Sequence, residues 1–253
     1  MKRKLQNTTS KLWSLSAIAV VFILWQTICS LGIVDSFMLP SPLQVGGAFI
    51  SEFPALMEHS AITLSEAFVG LGLGIALGFF MAVLMDQFDT LYKAFYPLIV
   101  VTQTIPTVAI APLLVLWFGY EMTPKVILVV ITTFFPITVG LLNGFKSVDQ
   151  DSVHLLRAMG SGRWQIFRYL KLPGALSQFF SGLRISASYA VVGAVISEWL
   201  GGFGGLGVYM TRVKKAFSFD KMFAVIFLIS IISLLLMKGV DLLQKKCMPW
   251  EKE

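Results

Sequence analysis

Glu198, in the stretch "VISEWLGGFGGLG", stands near the end of an apolar run of membrane-crossing length. A carboxylate at the centre of a bilayer costs about 3 kcal/mol unless it faces water or a partner. Glu198 is therefore either a functional group or a residue already in the interfacial water. Gly201 and Gly202, just after it, read as a flexible exit. Glu66, at the start of another apolar run, has a similar status. Pro106 and Pro112 in "QTIPTVAIAPLLVLWFG" and Pro136 in "TTFFPITVG" interrupt two further runs. Membrane helices accept proline where neighbours satisfy the freed carbonyls, and helices broken in this way line pathways through transporters; the alternative is a local kink. These residues are the candidates for a pathway and its gating.

Other chemistries are not visible. There is no GxSxG, HExxH or CxxC, and no glycine-rich phosphate loop of the GxxxxGK[ST] kind. The only histidines are His59 and His154, which precludes a paired-histidine metal site within one chain. No metal or cofactor is expected, and nothing in the chain would bind or hydrolyse ATP. The reading is a non-enzymatic protein; if nucleotide powers it, another subunit holds the nucleotide.

What positions these residues is a set of apolar helices. The chain is 56% hydrophobic and 13% charged, with a mean hydropathy of +0.78, which marks an all-α membrane protein. The net charge of +6 belongs to bilayer flanks rather than to a nucleic-acid surface, because no separate basic domain exists. Cys29 and Cys247 make no disulfide framework. A crossing needs about 20 mainly apolar residues, and six windows qualify, at about 12–31, 64–85, 96–118, 125–145, 179–200 and 219–243. No cleavage site follows the first, so it reads as a retained span. The whole of 1–253 reads as a single transmembrane domain.

With six spans both termini lie on one side. Placing them in the cytoplasm puts 15 of the 20 Lys and Arg inside, as the positive-inside bias requires. Arg212, Lys214, Lys215 and Lys221 cluster outside as a local exception: they are either solvated interface residues or a docking patch, chiefly Arg212, Lys214 and Lys215, for an acidic partner surface. Gly70, Gly74 and Gly78 share one helical face in the second span, a stripe that lets two helices approach closely in lipid.

The longest internal loop, about 149–173, contains "HLLRAMGSGRWQIFRYLKLPGA". Asp149 and Asp151 suit a helix start. A helix over about 152–159 would align Leu155, Leu156 and Met159, Gly160 and Gly162 would turn the chain, and a second short helix from Arg163 would carry Trp164, Phe167 and Leu170. Pro173 is expected to close that helix and redirect the chain into span five. The result is a basic, amphipathic elbow between spans four and five, held at the membrane surface.

Here the sequence resembles the permease subunits of bacterial ABC importers, in particular the branch that carries nitrate, taurine, alkanesulfonates and some vitamin precursors. The similarity lies in "LRAMGSGRWQIFRYLKLPGAL", "MLPSPLQV", "TLSEAFVGLGLGIALG", "IPTVAIAPLLVLWFG" and "SEWLGGFGGLG", which occur in the right order over most of the chain. The resemblance implies residence in the bacterial inner membrane, pairing with a second permease copy, cytosolic ATPase subunits on one side and an extracytoplasmic solute-binding protein on the other. It also implies that the elbow is a coupling helix docked on the ATPase, with His154, Leu155, Leu156, Arg157, Ala158, Gly160, Arg163, Trp164, Phe167 and Pro173 as the coupling residues. His154, Leu155 and Leu156 stand where the family commonly has Glu-Ala-Ala, which removes a carboxylate and adds apolar bulk. The substrate is not readable from physics; the resemblance implies a small sulfonate, taurine, nitrate or a pyrimidine or thiamine precursor. Two other classes compete. An ion-coupled secondary transporter would leave the elbow unexplained, and a non-transporting anchor would leave the prolines and glycines of the spans unexplained.

Overall fold

In a computed structural model that describes residues 2–251, every regular element among the described residues is helical. In chain order these are α1 (Lys2–Ser30), α2 (Pro42–Ser51), α3 (Phe53–Gln87), α4 (Asp89–Thr102), α5 (Thr107–Phe118), α6 (Met122–Lys146), α7 (Gln150–Ala158), α8 (Arg163–Ile166), α9 (Leu172–Leu200), α10 (Leu206–Lys215) and α11 (Phe219–Cys247). A five-residue π-helical turn, Phe167–Lys171, joins α8 to α9.

Four helices are long and apolar enough to cross a membrane: α3, α6, the continuous stretch Arg163–Leu200, and α11. The pair α4 and α5 makes a fifth if its two halves count together. These four or five are the ones found among the described residues, and the first of the six windows, 12–31, is described only in part. Of α1, the described apolar part is Ser16–Ser30. The side chains of Lys2, Arg3, Lys4, Lys11 and Lys252, which entered the charge bias, lie outside the described ones.

Two expectations are corrected by the backbone. The window 96–118 is not one helix, because α4 and α5 meet at 97° across residues 103–106. Proline disfavours a helical residue before it, and Pro106 adopts φ −60° and ψ 122°, so the chain leaves the helix there and restarts at Thr107. Pro173, in contrast, does not close the second elbow helix. It sits in the first turn of α9, directly after the π turn, in which Leu172 N–H donates to the Phe167 carbonyl. The wide turn shifts the hydrogen-bond register just where proline has no N–H to give, and the helix continues.

The chain forms two compact units. One comprises residues 1–57 and 210–228. In it Val45, Ala48 and Ala224 are buried beneath Trp25, Phe49, Phe223 and Phe227. Trp25 lies 5.9 Å from both Phe223 and Phe227, ring centre to ring centre. Ser41 and Gln44 cap α2 reciprocally, and Lys221 pairs with Glu52.

The other unit comprises 58–209 and 229–253. Its core is the contact of α6 with α9, to which α3 adds its glycine stripe. A Cβ at Gly70 would overlap Val129, and one at Gly74 would overlap the Thr133 hydroxyl; at Gly78 it would lie 3.0 Å from Ile137. The close approach also lets Thr138 Oγ1 donate to the Gly78 carbonyl, at 3.4 Å. Gly140, Gly144 and Gly182 do the same work between α6 and α9, and Gly182 lies directly against the Pro136 carbonyl. Pro136 stays inside an unbroken α6. One turn away, Ser186 Oγ donates to the Thr133 carbonyl at 2.9 Å, so α9 hydrogen-bonds to the backbone of α6.

Candidate functional site

Three groups of residues in the larger unit carry functional features. The first is a buried polar centre. Glu198, at the end of α9, is 1% exposed rather than in interfacial water. Its Oε1 accepts from Thr63 Oγ1 at 2.8 Å and its Oε2 from Gly207 N–H at 2.6 Å. Thr63 Oγ1 accepts in turn from Leu206 N–H at 2.8 Å, and His59 Nδ1 accepts from Gly205 N–H at 3.0 Å. Three successive amides of the glycine-rich segment are thus held by side chains of α3 and α9. The segment that the sequence presents as flexible is latched. A Cβ at Gly205 would collide with the Glu198 carboxylate and one at Gly207 with the Val195 carbonyl, so glycine is required there by close approach as well as by the φ of +113° at Gly205.

Beside this latch lies an ion pair that sequence reasoning missed. Lys125 Nζ lies 2.7 Å from Glu66 Oε1, and the two residues are 4% and 3% exposed. Lys125 is the fifth of the basic residues that the six-span reading leaves outside, beside Arg212, Lys214, Lys215 and Lys221. Gly202 leaves room for its ammonium, since a Cβ there would stand 3.0 Å from Nζ. The Glu66 Oε2 atom is buried and has no hydrogen-bond partner among the described residues. Gly201 lies against the Tyr120 ring.

The second group surrounds the α4–α5 break. A cavity of 280 Å³ lies there between Gln103, Pro106 and Thr107 on one side and Thr132 of α6 and Tyr189 of α9 on the other. Pro106 thus borders a space through its position at the break. Pro112 and Pro136 lie within α5 and α6 and do not line it.

The third group is the elbow. Asp149 caps α7, accepting from the Ser152 hydroxyl at 2.7 Å and from Ser152 and Asp151 N–H at 3.0 and 3.2 Å. These bonds, the Ser152 hydroxyl first, hold the Asp149 carboxyl below the usual carboxylate range. The other end of α7 closes on Gly160 with φ +86°; Gly160 N–H donates to the Arg157 carbonyl and Ser161 N–H to the Leu156 carbonyl. This is a Schellman turn, which favours glycine by conformation. Space is not the reason, because a Cβ there would meet nothing within 4 Å. Val153, Ile166 and Phe167 are buried, and the Phe167 ring meets Phe145 edge to face at 5.4 Å. Lys171 pairs with Asp86 at 2.7 Å, which fixes the elbow to the end of α3.

The outer face of the elbow is uncovered. Leu155, Met159 and Trp164 are 63%, 73% and 61% exposed, and Trp164 is held by stacking on Phe167. His154, Arg157, Ala158 and Arg163 are exposed as well, and Leu156 is half-buried. Arg157 and Arg163 line a 700 Å³ groove between the elbow and the α3–α4 turn. In the smaller unit, Arg212, Lys214 and Lys215 are exposed on α10. No group of three His, Cys, Asp or Glu side chains able to hold a metal is found among the described residues.

An all-helical fold with a broken helix, a cavity at the break and a surface elbow is the arrangement that the sequence resemblance to ABC importer permeases implies, and similarity to known proteins shows the class. Residues 74–248 match the family of binding-protein-dependent transport system inner membrane components, and the chain belongs to that family. It is 37% identical over 254 residues, spanning all of both chains, to the formylaminopyrimidine transport permease protein ThiX of Halalkalibacterium halodurans. It is 30% identical to the riboflavin transport system permease protein RibX of Chloroflexus aurantiacus, covering 92% of this chain and 87% of that one. It is 29% identical to the taurine transport system permease protein TauC of Escherichia coli, covering 95% and 90%. Among solved structures, the MetNI methionine ABC transporter aligns with a TM-score of 0.66 at 20% identity, covering 78% of this chain and 97% of that one, a likeness of fold. The chain is thus a multi-pass inner-membrane permease of an ABC importer, a family that implies an ATPase partner and a binding protein; the secondary-transporter and anchor readings are not favoured.

Proposed function

We propose that two copies of this chain form the solute pathway of an ATP-driven importer, with both termini in the cytoplasm. ATP binds and is hydrolysed on a separate cytosolic subunit, and this chain carries no cofactor of its own. Residues 149–173 are the element that the ATPase moves. The observation that carries this is the elbow itself: an apolar and basic face, with Leu155, Met159 and Trp164 exposed, on a base fixed by the Lys171–Asp86 pair and the Phe167–Phe145 contact. Exposed apolar area of this kind, rimmed by charge, marks a protein contact. With His154, Leu155 and Leu156 in place of Glu-Ala-Ala, the contact is more apolar than the family's usual one. The binding protein meets Arg212, Lys214 and Lys215, which offer it a basic patch.

The solute is small and organic. The 37% identity with a formylaminopyrimidine permease over the whole chain favours a pyrimidine-type vitamin precursor over taurine, sulfonates or nitrate. Replacing Gly160 by Val is the test of coupling, because φ +86° is strained for a β-branched residue. The variant should express and insert, yet lose at least fivefold of ATPase co-purification or of solute-stimulated ATP hydrolysis. Unchanged association and stimulation would refute the assignment of the elbow.

A further inference from the structure

We propose that the cavity at the α4–α5 break is a solute site within the permease, built for an uncharged, planar molecule with several hydrogen-bonding edges. The proposal rests on the importer reading above and adds the chemical class of the solute and the residues that select it.

The lining determines the class. No Asp, Glu, Lys, Arg or His borders the cavity. Sites that take carboxylates, sulfonates or phosphates supply a cation or a bidentate arginine, because an anion taken out of water without one is costly. The buried cation Lys125 does not line it and is already paired with Glu66. The cavity is not apolar, however. Gln103, Thr107 and Tyr189 line it, and neither the Gln103 amide nor the Thr107 and Tyr189 hydroxyls make a hydrogen bond among the described residues. Thr102 and Thr132 donate to carbonyls of their own helices at 2.6 and 2.9 Å, and so retain only acceptor capacity. The solute therefore meets three free donors and a larger number of acceptors, without a full charge.

Shape narrows the class further. At 280 Å³ the space is near the lower end of small-molecule pockets, which run from about 300 to 1,000 Å³. Gly193 of α9 lets one wall approach α6 closely, since a Cβ there would stand 3.1 Å from the Thr132 hydroxyl. Tyr189 adds an aromatic side chain to the lining, of the kind on which a planar heterocycle can stack. An aminopyrimidine, an amide or a similar planar heterocycle fits this combination; nitrate, taurine and alkanesulfonates do not. The site exists because Pro106 breaks the helix and exposes Gln103 and Thr107 at the break.

The test uses the whole assembly, this chain with its ATPase and binding protein in proteoliposomes, with formylaminopyrimidine, riboflavin, taurine and nitrate as probes. Wild type should take up a heterocycle and neither oxyanion. Gln103→Ala and Tyr189→Phe should each reduce that uptake at least fivefold at saturating binding protein, and Gln103→Arg should abolish it. All three should leave assembly and basal ATP hydrolysis unchanged. Uptake of taurine or nitrate in preference to both heterocycles, uptake of none of the four, or uptake in all three variants within twofold of wild type would each overturn the proposal. Intact association with the ATPase in those same preparations reports separately on the importer reading.

Discussion

At the scale of single residues, the least expected finding is the pairing of Lys125 with Glu66. Both are nearly inaccessible and lie 2.7 Å apart. Removing one partner of a buried pair strands the other charge, at a cost of about 3–5 kcal/mol, whereas replacing both with apolar residues of similar volume is often neutral. Lys125→Met should therefore lower the thermal unfolding midpoint of the detergent-purified protein markedly, and Lys125→Met combined with Glu66→Met should recover most of the loss. A double variant as unstable as the single one would show that the charges do not matter to stability. The pair was not legible in the sequence, since its members are 59 positions apart and no local spacing links them. Glu198 was legible as an anomaly, because a carboxylate at the end of an apolar run is rare. Its partner Thr63 lies 135 positions away, and what it holds, the amides of a glycine-rich segment, became visible only in three dimensions.

At the scale of elements, proline was readable as punctuation, though not always in the right sense. Pro106 breaks a helix because the residue before it is pushed out of the helical region, a local effect. Pro173 does not, because a π turn just before it shifts the hydrogen-bond register; nothing in the sequence announces that turn. The cap of α7 is the opposite case, fixed by Asp149, Ser152 and Gly160 within a dozen residues and apparent from residue types alone. Because the folded-state bonds hold the Asp149 carboxyl below its ordinary value, its stabilisation of α7 is fully present above that ordinary value. It is lost as pH falls through the lowered one. Hydrogen exchange at the Ser152 and Val153 amides should thus speed up at acid pH in wild type, beyond its intrinsic pH dependence. In Asp149→Ala it should be fast throughout, with that additional pH dependence gone. Slow exchange in the variant at neutral pH would show that the cap is dispensable.

At the scale of the whole molecule, a chain with no nucleotide motif is read as doing work powered by nucleotide. On the proposed reading what connects the two is mechanical: an elbow fixed to the spans by Lys171 and Phe167, a latch that holds the glycine segment through Glu198, and a helix broken beside a cavity. Discrete packed elements of this kind pass on motion as rigid bodies. The most direct test is solute accumulation in proteoliposomes that contain this chain, its ATPase and its binding protein, with ATP sealed inside. The account predicts accumulation that requires ATP and binding protein together and persists when proton and sodium gradients are collapsed. Accumulation driven by an ion gradient in the absence of ATP would contradict it.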